Sequence, residues 1–465
     1  MPPESTLAHA QRVHMVGIGG SGMAALASLL LQMGKQVSGS DTSRSSVIEQ
    51  LRGAGALIFD RHAAANLGDA AYVIRSAAVP VDSPEVAEAS RRGLPTRKLA
   101  EAVSELMAGR STVAVAGTHG KTTTTALVTW LLEQGGVDPL GLIGSDTPAY
   151  PLGARLGDGP IVIEADEYDR RFLSYRPEVV VVTSIEADHL DYYHDLSEIR
   201  AAFQELVDRL PEHGRLVACR DDPCALTLVT RASRETYGFL SDSGWRIGTY
   251  APTDQGARFT LELDGRAWRV ESPLRGEHNA RNVAAAIAVA DYYGVGLSAA
   301  IGAVRTFQAP RRRFETRGKP RGVWVVDDYG HHPTEVAAVL RAGRAAVRGD
   351  VWVIFQPHTT NRTAALLDEF ATAFVDANHA LVLPIYQPAG REMAARAVTS
   401  ADLAAVVQSQ GHPDVRVVET FEAAIDAIVG GGGGGGGAKT GDLVLTVGAG
   451  DVTLVADRLV EALSA

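Results

Sequence analysis

A β-branched apolar run, Thr112 to Ala116, leads straight into Gly117-Thr118-His119-Gly120-Lys121-Thr122-Thr123, and the helical stretch Thr122 to Gln134 follows. This segment constrains the fold more than any other. It has the composition of a phosphate loop. Glycines let backbone amides cradle a polyphosphate at a helix start, Lys121 supplies a point charge to the β- and γ-phosphates, and Thr122 can ligate Mg2+. Such a loop needs a strand before it and a helix after it, which predicts a parallel α/β unit. The first glycine of the longer G-x-x-x-x-G-K-T form would fall on Val115, so the loop is a shortened variant that begins at Gly117.

The chain has 465 residues, enough for about three domains at roughly 150 residues each. Before the phosphate loop, short β-branched runs (Val13 to Ile18, Gln36 to Gly39, Tyr72 to Ile74) alternate with helical stretches (Met23 to Met33, Ser83 to Arg92). The first run enters Gly17-Ile18-Gly19-Gly20-Ser21-Gly22, a G-x-G-x-x-G turn suited to a diphosphate, and Asp41 follows the next strand where a ribose or base commonly sits. After the loop come the apolar strands Ile161 to Ile163 and Val179 to Val182, and from Tyr237 to Glu271 turn-bounded alternation predicts antiparallel strands. Phe307 to Gly322, rich in Arg, Gly and Pro, reads as an interdomain linker. A third α/β unit follows, with strands at Val323 to Asp327, Val351 to Phe355, Ala380 to Pro384, Val415 to Val418 and Leu443 to Val447. The eight glycines Gly430 to Gly437 predict a mobile loop.

Charge excludes several partners. Lys plus Arg is 44 and Asp plus Glu is 55, so the net charge of −11 repels nucleic acid and anionic lipid, and any phosphate ligand must be held locally. Two cysteines, Cys219 and Cys224, are too few for a disulfide framework or a four-ligand zinc site, which suits a reducing, cytoplasmic setting. Met1 to Arg12 lacks an apolar export segment and no run approaches a membrane span, so neither export nor membrane insertion is expected. A monomer or homodimer is the expected assembly.

Glu164-Ala165-Asp166-Glu167 and Glu186-Ala187-Asp188-His189 end neighbouring strands, on the same carboxyl edge as the phosphate loop, where a cation and a reacting phosphate would meet. His278, Asn279 and Asn282 open an Ala-rich helix, either capping it or reading a base edge. Arg311, Arg312 and Arg313 form a solvated linker or a phosphate clamp.

These motifs, with Asp327-Asp328-Tyr329-Gly330-His331-His332-Pro333 and Phe355-Gln356-Pro357-His358, stand in the order and spacing of the Mur ligase family, which the chain resembles over nearly its whole length. The resemblance implies an α/β protein of three domains. Residues 1–109 form a Rossmann-like UDP-sugar domain, 110–314 a central P-loop ATPase domain, and 315–465 a C-terminal Rossmann-like domain for ATP and the amino acid. The implied reaction is ATP-dependent, through an acyl phosphate on the lactoyl carboxylate of UDP-N-acetylmuramate. The alanine-adding branch takes L-alanine; the alternative is the ligase that recycles a murein tripeptide onto the same sugar. Carried over by position, Gly117, Thr118, Gly120, Lys121, Thr122 and Thr123 hold phosphate, and Thr122, Glu164 and His189 hold Mg2+. Asn279 and Asn282 meet adenine, Arg313 the phosphates and Asp328 the ribose of ATP. Gly19, Gly20, Ser21, Gly22, Met23 and Asp41 serve the UDP-sugar, while Tyr329, His331, His358 and Arg362 line the amino-acid side. Catalysis is assigned to Lys121, Glu164, His189 and His331.

Two departures bear on the amino acid. Tyr168 replaces the serine common in the alanine-adding branch, as it does in the recycling ligase, whereas the Gly17 to Met23 turn and the His358 motif favour alanine. Relatives commonly read Pro-His-Arg-x-x-Arg-Thr where this chain has Pro357-His358-Thr359-Thr360-Asn361-Arg362-Thr363, leaving Arg362 as the motif's carboxylate fork. An arginine restored at Thr359 is expected to lower the alanine KM if that position faces the site. A nicotinamide-dependent dehydrogenase would explain the first glycine turn alone, and a nucleotide-driven switch the phosphate loop alone. Neither accounts for both.

Overall fold

The computed structural model describes residues 6–388, 398–430 and 436–465. Its first sheet has five parallel strands in the order Leu57–Phe59, Gln36–Ser40, Arg12–Val16, Tyr72–Arg75 and Thr96–Lys98. The connections reverse direction at Arg12–Val16, so a crevice opens at the carboxyl end of that strand, where the Gly17 to Gly22 turn feeds helix Ser21–Gln32. That helix buries Met23 through Leu30. At its end Gln32 accepts the Leu156 N–H at 3.0 Å and donates to the Ala154 carbonyl at 3.3 Å, tying the first unit to the second.

The second sheet has eleven strands. Seven are parallel, in the order Trp245–Ile247, Ser233–Gly238, Arg215–Cys219, Val179–Val182, Thr112–Ala116, Ile161–Glu164 and Leu140–Leu142. Every residue of Thr112–Ala116 is buried, as a strand covered on both faces requires. Helix Lys121–Gln134 leaves its carboxyl end and packs beside Glu277–Tyr292, an Ala-rich helix whose small side chains allow close approach. The Tyr237 to Glu271 segment is antiparallel only in part. Trp245–Ile247 pairs in parallel with Ser233–Gly238, and antiparallel pairing starts with Gly256–Leu263. Alternation is the same for both kinds of pairing, so the pattern could not separate them.

The third sheet runs Glu315–Gly318, Trp324–Asp328, Leu443–Val447, Val351–Phe355, His379–Val382 and Val415–Val417, parallel except for its first pair. The expected linker is therefore partly an edge strand. A polar segment such as Glu315–Gly318 pairs through its backbone on an edge, where no buried face is needed and no apolar pattern marks it. Gly430, with φ of 93°, closes helix Phe421–Val429. Residues 431–435 of the expected glycine loop lie outside the described residues. Among the described residues no helix is long and apolar enough to cross a membrane, and both cysteines are free thiols.

Candidate active site

The phosphate loop closes under steric control. Gly117 has φ of 137°, and a Cβ there would fall 1.9 Å from Thr183 Oγ1. At Gly120, φ is 77° and a Cβ would meet Asn282 Oδ1 at 2.6 Å. Side chains at either position would fill the cradle. Lys121 Nζ donates to the carbonyls of Gly117 at 2.6 Å and Thr118 at 3.1 Å, and to Glu167 Oε2 at 2.8 Å. Burial opposes the Lys121 charge, but Glu167 and Asp166 outweigh it and raise its pKa. Glu167, 2% exposed, is pushed up to about 7 by burial despite that lysine.

The strand-end acids separate into two groups. Glu164 accepts the Thr122 hydroxyl at 3.1 Å and the Gly144 N–H at 2.8 Å, and burial raises its pKa. His189 does not group with Glu164. Its ligand nitrogen clusters instead with Asp166 and Glu167, all within 4.8 Å, and Nε2 lies 3.8 Å from Glu167 Oε1. His189 Nδ1 is buried with no hydrogen-bond partner among the described residues. Carboxylate and hydroxyl oxygens around a lysine-anchored loop fit Mg2+, a hard cation that keeps several waters.

Two cavities flank these groups. One, of about 270 Å3, is lined by Gly120, Thr123, Asn279, Asn282, Arg313 and Asp328, among others. Asn282 donates to Asn279 Oδ1 at 3.0 Å, and Asn279 donates to the Arg275 carbonyl at 2.7 Å. Asp328 accepts the N–H groups of Phe314 at 2.7 Å and Gly330 at 2.8 Å, while burial pushes its carboxyl up to about 6. The other cavity, of about 280 Å3, lies between Gly20, Ser21, Gly22 and Met23 of the first unit and Gly144, Glu164, Asp166 and Arg171 of the second. Asp41 is not on its wall; it accepts the N–H groups of Gly19 and Ser43, each at 2.8 Å, and so braces the turn.

The C-terminal residues assemble over this edge. The guanidiniums of Arg312 and Arg313 both lie over the Tyr329 ring, 5.1 and 4.8 Å from its centre. Arg312 also reaches buried Asp327 at 3.2 Å, so Arg312 and Arg313 are packed rather than a solvated linker, while Arg311 stays 54% exposed. His331 Nδ1 lies 3.1 Å from the Tyr329 carbonyl, and burial pushes its imidazole down to about 4, neutral at ordinary pH. Arg362 donates to both Asp188 oxygens, at 2.9 and 3.2 Å, and to His358 Nδ1 at 3.0 Å. Its fork is thus already engaged across the two units. Thr359 does not face the site: buried at 4% exposure with φ of 65°, it accepts the Arg362 N–H and caps helix Thr360–Ala365. An arginine there would lose that cap and bring a guanidinium into a buried position.

Sequence reasoning missed two features. Glu167 belongs to a motif already singled out, but spacing does not tell which of its acids turns toward Lys121. The other is the seam of His119, Glu186, His332 and Glu335. His119 Nδ1 lies 3.1 Å from Glu335 and its Nε2 3.5 Å from Glu186, and although burial opposes the charge these carboxylates raise its pKa to about 10. Nothing in a linear motif pairs His119 with Glu186 and Glu335, which lie 67 and 216 positions further along the chain.

Known proteins match the chain along nearly its whole length. Residues 12–111 match the Mur ligase family catalytic domain, 115–290 the Mur ligase middle domain, and 312–450 the Mur ligase glutamate ligase domain. The chain is 44% identical over 461 residues to the UDP-N-acetylmuramate–L-alanine ligase of Paenarthrobacter aurescens, covering 97% of each. It superimposes on UDP-N-acetylmuramate-alanine ligase from Thermotoga maritima with a TM-score of 0.81 at 26% identity, covering 97% of this chain and 99% of that one. A murein peptide ligase from Psychrobacter arcticus, also 26% identical, gives 0.71 with coverage of 98% and 99%.

Proposed function

The chain belongs to the Mur ligase family, and from that premise we propose that it joins L-alanine to the lactoyl carboxylate of UDP-N-acetylmuramate in an ATP-dependent reaction through an acyl phosphate. One observation carries the reading: the Lys121–Glu167 pair and Glu164 stand between two cavities, one beside the first glycine turn and one beside Asn279 and Asn282. A sugar carboxylate entering from one side and a nucleotide from the other would meet there. The higher structural similarity to an alanine ligase than to a murein peptide ligase favours alanine over a tripeptide.

In this reading residues 1–109 hold the UDP-sugar, 110–314 the ATP, and 315–465 close over both with the amino acid. A carboxylate is a poor electrophile until one oxygen becomes a good leaving group, so activation must precede attack by the amine, and water must stay out in between. Loop amides and Lys121 orient the phosphates. Thr122 and Glu164 would hold Mg2+, which would neutralise charge on the transferring phosphoryl group, while His189, grouped with Asp166 and Glu167, would join only after a side-chain movement. Glu167 steadies Lys121, and Asp166 and Glu167 crowd negative charge beside it. Asn279 and Asn282 face adenine, Asp328 the ribose and Arg313 the phosphates. His331, held neutral by burial, is the proposed catalytic residue on the amino-acid side, where it would orient the incoming amine by a hydrogen bond, with Tyr329, His358 and Arg362 around it. The proposal extends to a cytoplasmic monomer or homodimer without nucleic-acid or membrane partners.

The test is to incubate the chain with ATP, Mg2+, UDP-N-acetylmuramate and either L-alanine or the tripeptide, and to weigh the product. A mass gain of one alanyl residue is expected. Turnover with the tripeptide and none with alanine would reverse the assignment.

A further inference from the structure

Three ligand-type side chains converge on the seam between the central and C-terminal sheets, apart from the groups assigned to Mg2+. His119 belongs to the phosphate loop, Glu186 follows strand Val179–Val182, and His332 caps helix Pro333–Ala346. One ligand atom from each lies within 4.8 Å of the others. His119 Nε2 and His332 Nδ1 approach the same oxygen, Glu186 Oε2, at 3.5 and 3.8 Å. Two atoms each about 2.0–2.1 Å from a tetrahedral ion are about 3.4 Å apart, so small side-chain movements bring this set to bonding distance.

The second nitrogen of each ring supplies the orientation. His119 Nδ1 lies 3.1 Å from Glu335 Oε1, and His332 Nε2 lies 3.2 Å from the Ala187 carbonyl. An acceptor there keeps the ring proton on that nitrogen and turns the other toward a metal, the outer-shell arrangement typical of ligating histidines. His119 Nε2 is also buried with no hydrogen-bond partner among the described residues. Two existing contacts compete. His332 Nδ1 accepts the Thr334 N–H at 3.3 Å, and the Thr334 hydroxyl donates to Glu186 Oε2 at 2.6 Å. An ion would displace the first, which is long, and could share Glu186 with the second.

We propose that His119, Glu186 and His332 form a site for a transition-metal ion of the Zn2+ class that clasps the C-terminal unit onto the phosphate loop. Two imidazoles and one carboxylate suit Zn2+ or Co2+ over Mg2+. His119 and Glu186 also line the nucleotide-side cavity, which leaves a fourth position for water. Any proton that bridges His119 Nε2 to Glu186 in the metal-free chain leaves when the ion binds.

Co2+ serves as the probe, titrated into the full chain without nucleotide and with Mg2+ in excess to occupy the oxygen-rich sites. The expected result is one ion per chain with the intense visible bands of tetrahedral cobalt, displaced by one equivalent of Zn2+. His119→Ala and His332→Asn, the latter retaining a helix-capping side chain, should each weaken binding at least tenfold. Glu335→Gln should weaken it by about 10- to 100-fold through the outer shell. His189→Ala should leave it intact. Because the ligands come from two units, Zn2+ should raise the Tm of the unaltered chain and not of the His119 or His332 variants. Bands that survive both of those substitutions and vanish in His189→Ala would put the ion on Asp166, Glu167 and His189 and overturn the proposal. So would the absence of a saturable tetrahedral spectrum.

Discussion

Lys121 keeps its charge in a buried loop because Glu167 lies 2.8 Å from it, and the pair is ready to be prised apart by a polyphosphate. Lys121→Ala should lower ATP turnover by at least about 100-fold, the usual cost of losing a preorganised charge at a reacting phosphate. UDP-sugar affinity, measured by calorimetry, should change little, since the first glycine turn does not touch this residue; an equal loss would place both ligands on one unit. Asp328 makes a different statement. Its buried carboxyl is raised from 3.8 to about 6, so the folded chain binds that proton more tightly than the unfolded one. This contribution is complete below pH 3.8 and is lost as pH rises through about 6. At 1.36 kcal/mol per unit it is at most about 3 kcal/mol. The stability of the unaltered chain relative to Asp328→Asn, from denaturant melts at a series of pH values, should therefore fall across that window. A constant difference would show that burial does not govern this group.

Among the elements, helix Thr360–Ala365 illustrates how one residue can be read for the wrong task. The family resemblance points to position 359 as a place for a second carboxylate fork, yet in this chain the backbone there has φ of 65° and the Thr359 hydroxyl caps the helix. Thr359→Arg should lose a cap worth about 1 kcal/mol and force a guanidinium into a buried position. Its Tm should drop while the alanine KM does not improve. Thr359→Gly removes the positive-φ strain, about 1–3 kcal/mol, and loses only a few tenths at the cap, so its Tm should equal or exceed that of the unaltered chain. A large loss in the glycine variant would mean that the methyl and hydroxyl contacts outweigh the strain. The same contrast holds for Glu315–Gly318: composition identifies turn-rich polar chain, but whether such chain is linker or edge strand depends on a neighbour with free backbone groups.

For the whole molecule the central contact is Asp188 with Arg362, a carboxylate of the second unit and a guanidinium of the third, 10% and 8% exposed. Burial opposes the charge on Asp188, but Arg362 holds its pKa well below the usual carboxylate range. Arg362→Ala would strand a buried carboxylate, at a cost of about 3–5 kcal/mol. If Arg362 also receives the amino-acid carboxylate, the alanine KM should rise about 10- to 150-fold as well. Asp188→Asn combined with Arg362→Ala separates the two roles. Stability should recover substantially in the double variant, whereas the alanine KM should stay high. Recovery of both would make Arg362 a clasp between units and nothing more.

The α/β class, the three sheets and the glycine turns between strand and helix were legible in the sequence because they rest on local chemistry. Buried parallel strands such as Val179–Val182 need continuous apolar runs, and a phosphate cradle needs glycine where the backbone turns at positive φ, 137° at Gly117. These requirements act within a few residues and leave their mark in order and spacing. The partners of each charged group were not legible in that way. Which acid of Glu164 to Glu167 meets Lys121, whether Asp41 faces a ligand or braces its turn, and how Arg362 finds Asp188 are settled by strand register and by the packing of one unit on another. Pair energies in a buried, low-dielectric seam depend on distances of a few ångströms between residues far apart in the chain, and only the tertiary structure sets those distances.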